Sequence, residues 1–195
     1  MRTFTFLLCC LPLCVVIQKA SAAPGDLLAE IRFDINQDGT ADRAILFRRK
    51  DGDDSDVSLA IFEDGADTPV VLAPAVAWVG GIGQQPELAS TPQGSLQVIS
   101  MNESIGRDRW RQTLTIAYRG GRYVLAGITH DWWDTLDPAN QGECDINLIT
   151  GKGRLEEGET GHGKPITVKV RSLPIEDWDG HLPGECGLDF QVTYP

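Results

Sequence analysis

The stretch Trp110–Trp132, "WRQTLTIAYRGGRYVLAGITHDW", decides the fold class. In its first half Trp110, Leu114, Ile116 and Tyr118 share one parity. Arg111, Thr113 and Thr115 share the other. That is the period of two that a half-buried strand requires. Gly120 and Gly121 then sit between two arginines, and two central glycines suit the positive φ angles of a tight hairpin turn. The stretch predicts two long antiparallel strands.

Working outward, other segments repeat the pattern in shorter form. "LLAEIRFDI" (27–35), "RAILFRR" (43–49), "DVSLAIF" (56–62), "TPVVLAP" (68–74) and "GSLQVISM" (94–101) precede the hairpin. "CDINLITG" (144–151), "PITVKVRSL" (165–173) and "GLDFQVTYP" (187–195) follow it. "PAVAWVGG" (74–81) reads as a short helix or an irregular loop, and "PIEDWDGHLPGEC" (174–186) as a long loop. No window sustains a 3.6-residue apolar period with caps. The expected class is all-β, with antiparallel sheets in a propeller-like or sandwich-like single domain over residues 23–195.

The first 22 residues read as a cleaved signal peptide. Arg2 gives the positive start, "FLLCCLPLCVVI" the apolar run, and Ala20-Ser21-Ala22 the small-residue cleavage site. No later run approaches the roughly 20 apolar residues of a membrane span. The expected location is periplasmic or secreted. Of the five cysteines, Cys9, Cys10 and Cys14 leave with the signal. Cys144 and Cys186 remain, and a disulfide between them is expected in an oxidising compartment.

The full chain carries a net charge of −11, and losing Arg2 and Lys19 takes it to about −13. Phosphates would be repelled, so nucleic acid is not an expected partner. Cations or a basic protein are.

The chemistry-bearing motif is "DINQDGTAD", Asp34 to Asp42. Asp34, Asn36 and Asp38 place oxygens at every second position, and Gly39 permits a sharp turn. The Thr40 carbonyl and the Asp42 carboxylate complete a set of hard oxygens. Ca²⁺ takes six to eight of these. A helix-loop-helix calcium motif would need Glu at the twelfth position, where Ile45 stands, and both flanks read as strands. The alternative is an Asx-rich turn with no metal. The second acidic patch, Asp51 to Asp56, reads as a solvated hairpin tip.

Other candidates are weaker. His130 beside Asp131 and Asp134 reads as a polar strand end. Trp132 and Trp133 should point to opposite faces, one packed and one exposed as a contact anchor. Asn102-Glu103-Ser104 is formally a glycosylation triplet. Glu156 and Glu157 are too close in sequence for a glycosidase dyad. No nucleophile elbow, Cys–His arrangement or phosphate-cradling loop is present.

The motif "DINQDGTADRAILF" resembles the Asp/Asn-rich loop of FG-GAP and VCBS-type repeats. Those repeats build β-propeller blades and commonly bind calcium there. The run from Gly106 to Gly153 resembles the C-terminal half of small exported bacterial proteins carrying one such repeat. Relatives of that kind include periplasmic lysozyme inhibitors and immunity proteins against peptidoglycan hydrolases. The resemblance implies Ca²⁺ on Asp34, Asn36, Asp38, Thr40 and Asp42. It also implies a basic secreted hydrolase, lysozyme-like or amidase, as partner. The Ser-Gly-x-x-Tyr plug of inhibitors of invertebrate-type lysozyme is not found. "ETGHGK" (159–164) is a loose analogue without the tyrosine. The expected partner surface is Trp132, Trp133, Asp134 and His162. The expected function is inhibition without catalysis. The alternatives are a carboxylate-dependent hydrolase and a structural envelope protein with a stabilising calcium.

Overall fold

A computed structural model describes residues 26–49, 56–81, 83–158, 162–169 and 171–186. The predicted signal peptide, most of the Asp51–Asp56 patch, residues 159–161 and the predicted strand 187–195 lie outside the described residues.

The described residues form two antiparallel sheets that are not closed into a barrel. The first holds β1 (Leu27–Phe33), β2 (Asp42–Arg48), β3 (Asp56–Phe62) and β4 (Val71–Trp78), in that order. The second holds β5 (Glu87–Ser90), β6 (Leu96–Asn102), β7 (Asp108–Arg119), β8 (Arg122–Asp134), β9 (Gln141–Asn147), β10 (Lys152–Glu157) and β11 (Lys164–Thr167). Its strands are also neighbours in chain order, so every pairing is a local meander. Among the described residues no helix is long and apolar enough to cross a membrane.

The β7–β8 hairpin forms as predicted. Arg119 pairs with Arg122 across Gly120 and Gly121, whose φ angles are 59° and 78°. The hairpin carries one irregularity. Thr115 faces Gly127 but Ile116 faces Leu125, so Ala126 is an extra residue. This bulge changes the parity of β8, and both Leu125 and Ile128 reach the core. The freed Ala126 carbonyl accepts a bond from the Leu148 amide at 2.8 Å.

Leu46, Leu59 and Ile61 of the first sheet join Leu96, Leu114, Ile116, Leu125 and Ile146 of the second in one buried cluster. Residues 172–186 cover part of this core. Pro174 bridges to Val124, Ile175 is fully buried, and Trp178 and Leu182 also point inward. The segment that reads as a polar loop is thus a lid of two short 3₁₀ turns, Ile175–Asp177 and Gly184–Cys186. The disulfide Cys144–Cys186 pins it to β9, with Cα atoms 5.7 Å apart and both cysteines buried.

Two expectations need correction. "PAVAWVGG" is not a helix, because its first five residues belong to β4. Pro74 and Ala75 (φ 49°) lie at a register shift between β3 and β4, where a residue without an N–H is tolerated. In the run from Pro165 to Leu173, strand β11 ends at Thr167, and Val168, Lys169 and residues 171–173 are not strand; Val170 lies outside the described residues.

Candidate metal centre

Asp34 to Ala41 connect β1 to β2, so the acidic loop is flanked by strands. Ile35, almost fully buried, anchors it to the core. Its oxygens organise the loop's own amides. Asp34 accepts from the Asp38 amide at 3.1 Å and the Gly39 amide at 2.9 Å. Asn36 Oδ1 accepts from the Asp38 amide at 3.0 Å, and Asp38 Oδ1 from the Thr40 amide at 2.8 Å. The Asn36 amide group donates to Asp38 Oδ2 at 2.8 Å. These Asx-type bonds explain the alternation, because each short polar side chain reaches back to an amide a few residues on. Gln37 (φ 64°) and Gly39 (φ 97°) turn the chain.

Asp42, the first residue of β2, closes the loop. It is fully buried. Its Oδ2 accepts from the amides of Ile35 at 2.9 Å and Asn36 at 3.1 Å. Its Oδ1 is buried and meets no hydrogen-bond partner. Burial pushes this carboxyl above its ordinary range, against the two amide bonds that stabilise the anion. Asp38 is held below its ordinary range, chiefly by the Thr40 amide.

The donor set is chemically suited to a hard cation: three carboxylates, one amide oxygen and one backbone carbonyl. The orphaned Asp42 Oδ1 is the atom that fits best, since a buried acceptor without a partner is costly. Among the described residues no three His, Cys, Asp or Glu side chains converge as a ready-made cluster. The loop's carboxylates are turned onto its own amides.

The other predicted residues are dispersed. Trp132 packs against the core, with its ring 6.3 Å from that of His130. Trp133, next in sequence, turns to the other face by strand alternation, and both tryptophans contribute to the lining of one open groove. Asp134 is buried and clamped by Arg107, and it accepts from the Leu136 amide at 2.8 Å. It therefore braces loops from within. His162 is exposed, just before β11.

His130 is not a polar strand end. It is 3 % exposed, on the inward face between Trp110 and Trp132. Burial pushes its pKa down to about 4, so it is neutral near pH 7. Strand alternation points Asp131 to the other face, which rules out an acid–base pair with it. Asn102 is buried too, and holds the β6–β7 turn through the Ile105 and Asp108 carbonyls. Glu156 pairs with Arg154, and Glu157 with Lys164 at 2.7 Å.

Sequence reasoning missed one pair. Asp131 on β8 stands directly opposite Glu143 on β9. Both titrate above their ordinary ranges, with burial the largest cause. Eleven residues of chain lie between them, and only the strand register brings them together.

Compared with protein-family models, curated proteins and solved structures, the chain matches none.

Proposed function

We propose that this chain is an exported calcium-binding β protein that inhibits a basic cell-wall hydrolase, in the manner of an immunity protein. The observation that carries the reading is Asp42 Oδ1, a buried carboxylate oxygen without a partner, closing a loop of four further oxygen donors. A calcium ion there would be held by Asp34, Asn36, Asp38, the Thr40 carbonyl and Asp42. It would fix the β1–β2 corner, which is a stabilising role. No step of catalysis passes through it.

Inhibition requires a rigid scaffold that presents loops, with no reacting groups of its own. The acidic balance, −11 over the full chain, favours a basic partner. The disulfide suits an exported protein. Mixing the purified chain with lysozyme-like enzymes and amidases tests the reading directly. Calcium-dependent loss of hydrolase activity at equimolar ratio supports it. Full activity of every such enzyme in the presence of excess chain overturns it.

A second reading, a carboxylate-dependent hydrolase, has one observation in its favour. Asp131 and Glu143 stand directly opposite each other on an open groove, and burial holds both carboxyls above their ordinary ranges, as in paired catalytic carboxyls. Cleavage of cell-wall fragments by the chain, lost in Glu143→Gln, would establish it.

A further inference from the structure

We propose that the outer face of the seven-stranded sheet carries a receptor for one arginine or lysine side chain of a basic protein partner, built from Asp131, Glu143 and the ring of Trp133. This deepens the inhibitor reading by naming the surface, and relies on it only for the source of the cation.

The strand register sets the geometry. Arg111, Asp131, Glu143 and Glu156 face one another in a single row across β7, β8, β9 and β10. Trp133 and Gln141 stand opposite each other in the next row. Together with Trp132, Gly142 and Gly158 these residues line an open groove of about 570 Å³. A groove of that size admits a long side chain.

Charge within the row is unbalanced in one place. Arg111 is taken by Glu103, at 2.7 and 3.0 Å. Glu156 is taken by Arg154. Among the described residues neither Asp131 nor Glu143 makes an ion pair within salt-bridge distance; Arg111, opposite Asp131, is bonded to Glu103 instead. Like charges directly opposed on a sheet are unfavourable. A guanidinium or ammonium group entering the groove would bridge both carboxylates, any proton on them passing to solvent, and the Trp133 ring would offer it an aromatic face.

The surroundings indicate a protein as the source, not a small free amine. Leu136 is 75 % exposed on the loop that joins Trp133 to Gln141, and Ile105 is 41 % exposed on the neighbouring loop. The Thr135 amide bonds the Arg107 carbonyl at 3.0 Å, and Arg107 clamps Asp134, so the two loops are fastened together. Exposed apolar side chains on loops that continue from the groove's own strands match the anatomy of a protein interface.

Affinity should rise with pH as the two carboxyls, both held above their ordinary ranges by burial, ionise. The charged groups around the pair are Arg111 and Arg109 from β7, Asp145 from β9, and Glu156 and Arg154 from β10. Arg111 favours the Asp131 anion, whereas Asp145 opposes ionisation of both carboxyls and Glu156 opposes that of Glu143.

The test is an NMR titration of the full chain with acetyl-Gly-Arg-Gly-amide and with its citrulline counterpart, which has the same shape without the charge. The Trp133 indole N–H should shift saturably with the arginine peptide, with a dissociation constant on the order of 1 mM. The citrulline peptide, and Glu143→Gln with the arginine peptide, should each bind at least tenfold more weakly, about 1.4 kcal/mol. Equal shifts from both peptides, or unchanged affinity in Glu143→Gln, overturn the proposal. So does an arginine titration that does not saturate below about 10 mM. Arginine-selective binding with no hydrolase inhibited upholds the groove and overturns the inhibitor reading. Inhibition with no arginine preference does the reverse.

Discussion

Arg107, in the turn before β7, clamps Asp134 at the end of β8, with Nε 3.0 and 2.8 Å from the two carboxylate oxygens. The contact ties the β6–β7 loop to the β8–β9 loop. It holds Asp134 below the ordinary carboxylate range, with the Leu136 amide as the next cause. A depressed carboxyl contributes stability above its unfolded pKa and loses it as pH falls through the folded value. Arg107→Ala should therefore loosen both loops at neutral pH and remove this part of the acid dependence. Hydrogen exchange at Thr135 and Leu136 reads the first effect, and melting temperature against pH the second. Unchanged exchange would show that the clamp does not fasten the loops.

His130 gives a second acid-sensitive element. Its pKa, pushed down to about 4 by burial, lies below the unfolded value near 6.5. The unfolded chain therefore binds more protons between those values, and stability falls as pH drops from about 6.5 towards 4. The full effect is roughly 3 kcal/mol. The Asp131–Glu143 pair acts in the opposite sense, since raised carboxyl pKa values favour the folded state at low pH. Replacing His130 by Gln should flatten the profile of urea midpoint against pH in that window. The same slope in the variant would place the acid sensitivity elsewhere.

The disulfide should contribute markedly to stability. Cys144 and Cys186 are 42 residues apart, and a closed loop of that length gives about 4 kcal/mol in the chain-entropy model, as an upper-end figure. The bond also holds the lid that buries Ile175 and Trp178. Cys186→Ser should lower the denaturation midpoint and speed exchange at Leu125, whose amide bonds the Leu173 carbonyl at 2.8 Å. A midpoint insensitive to the substitution would contradict a clamping role.

The β class was legible because alternation in Trp110–Trp132 and the central Gly120-Gly121 pair are local signals. The second half of β4, after Pro74, was not, because Ala-rich alternation is weak and Pro74 normally argues against a strand. The shift in register at Pro74 and Ala75 reconciles the two. His130 misled because its neighbours Thr129 and Asp131 are polar, while the residues two positions away on its own face are Ile128 and Trp132. The acidic loop was legible as a motif, since its spacing is itself the geometry of Asx turns. The burial of Asp42 was not, because it depends on the first sheet closing over it. The Asp131–Glu143 pair depends on the β8–β9 register, which no local pattern specifies.

The most direct test of the calcium loop is the melting temperature of the full chain in calcium and in chelator. At a calcium concentration of 100 times the dissociation constant, binding adds about 2.7 kcal/mol. For a chain of this size that is a rise of about 5–10 °C. The account predicts this rise in the wild type and its loss in Asp38→Ala. Equal melting temperatures in calcium and in chelator would contradict it.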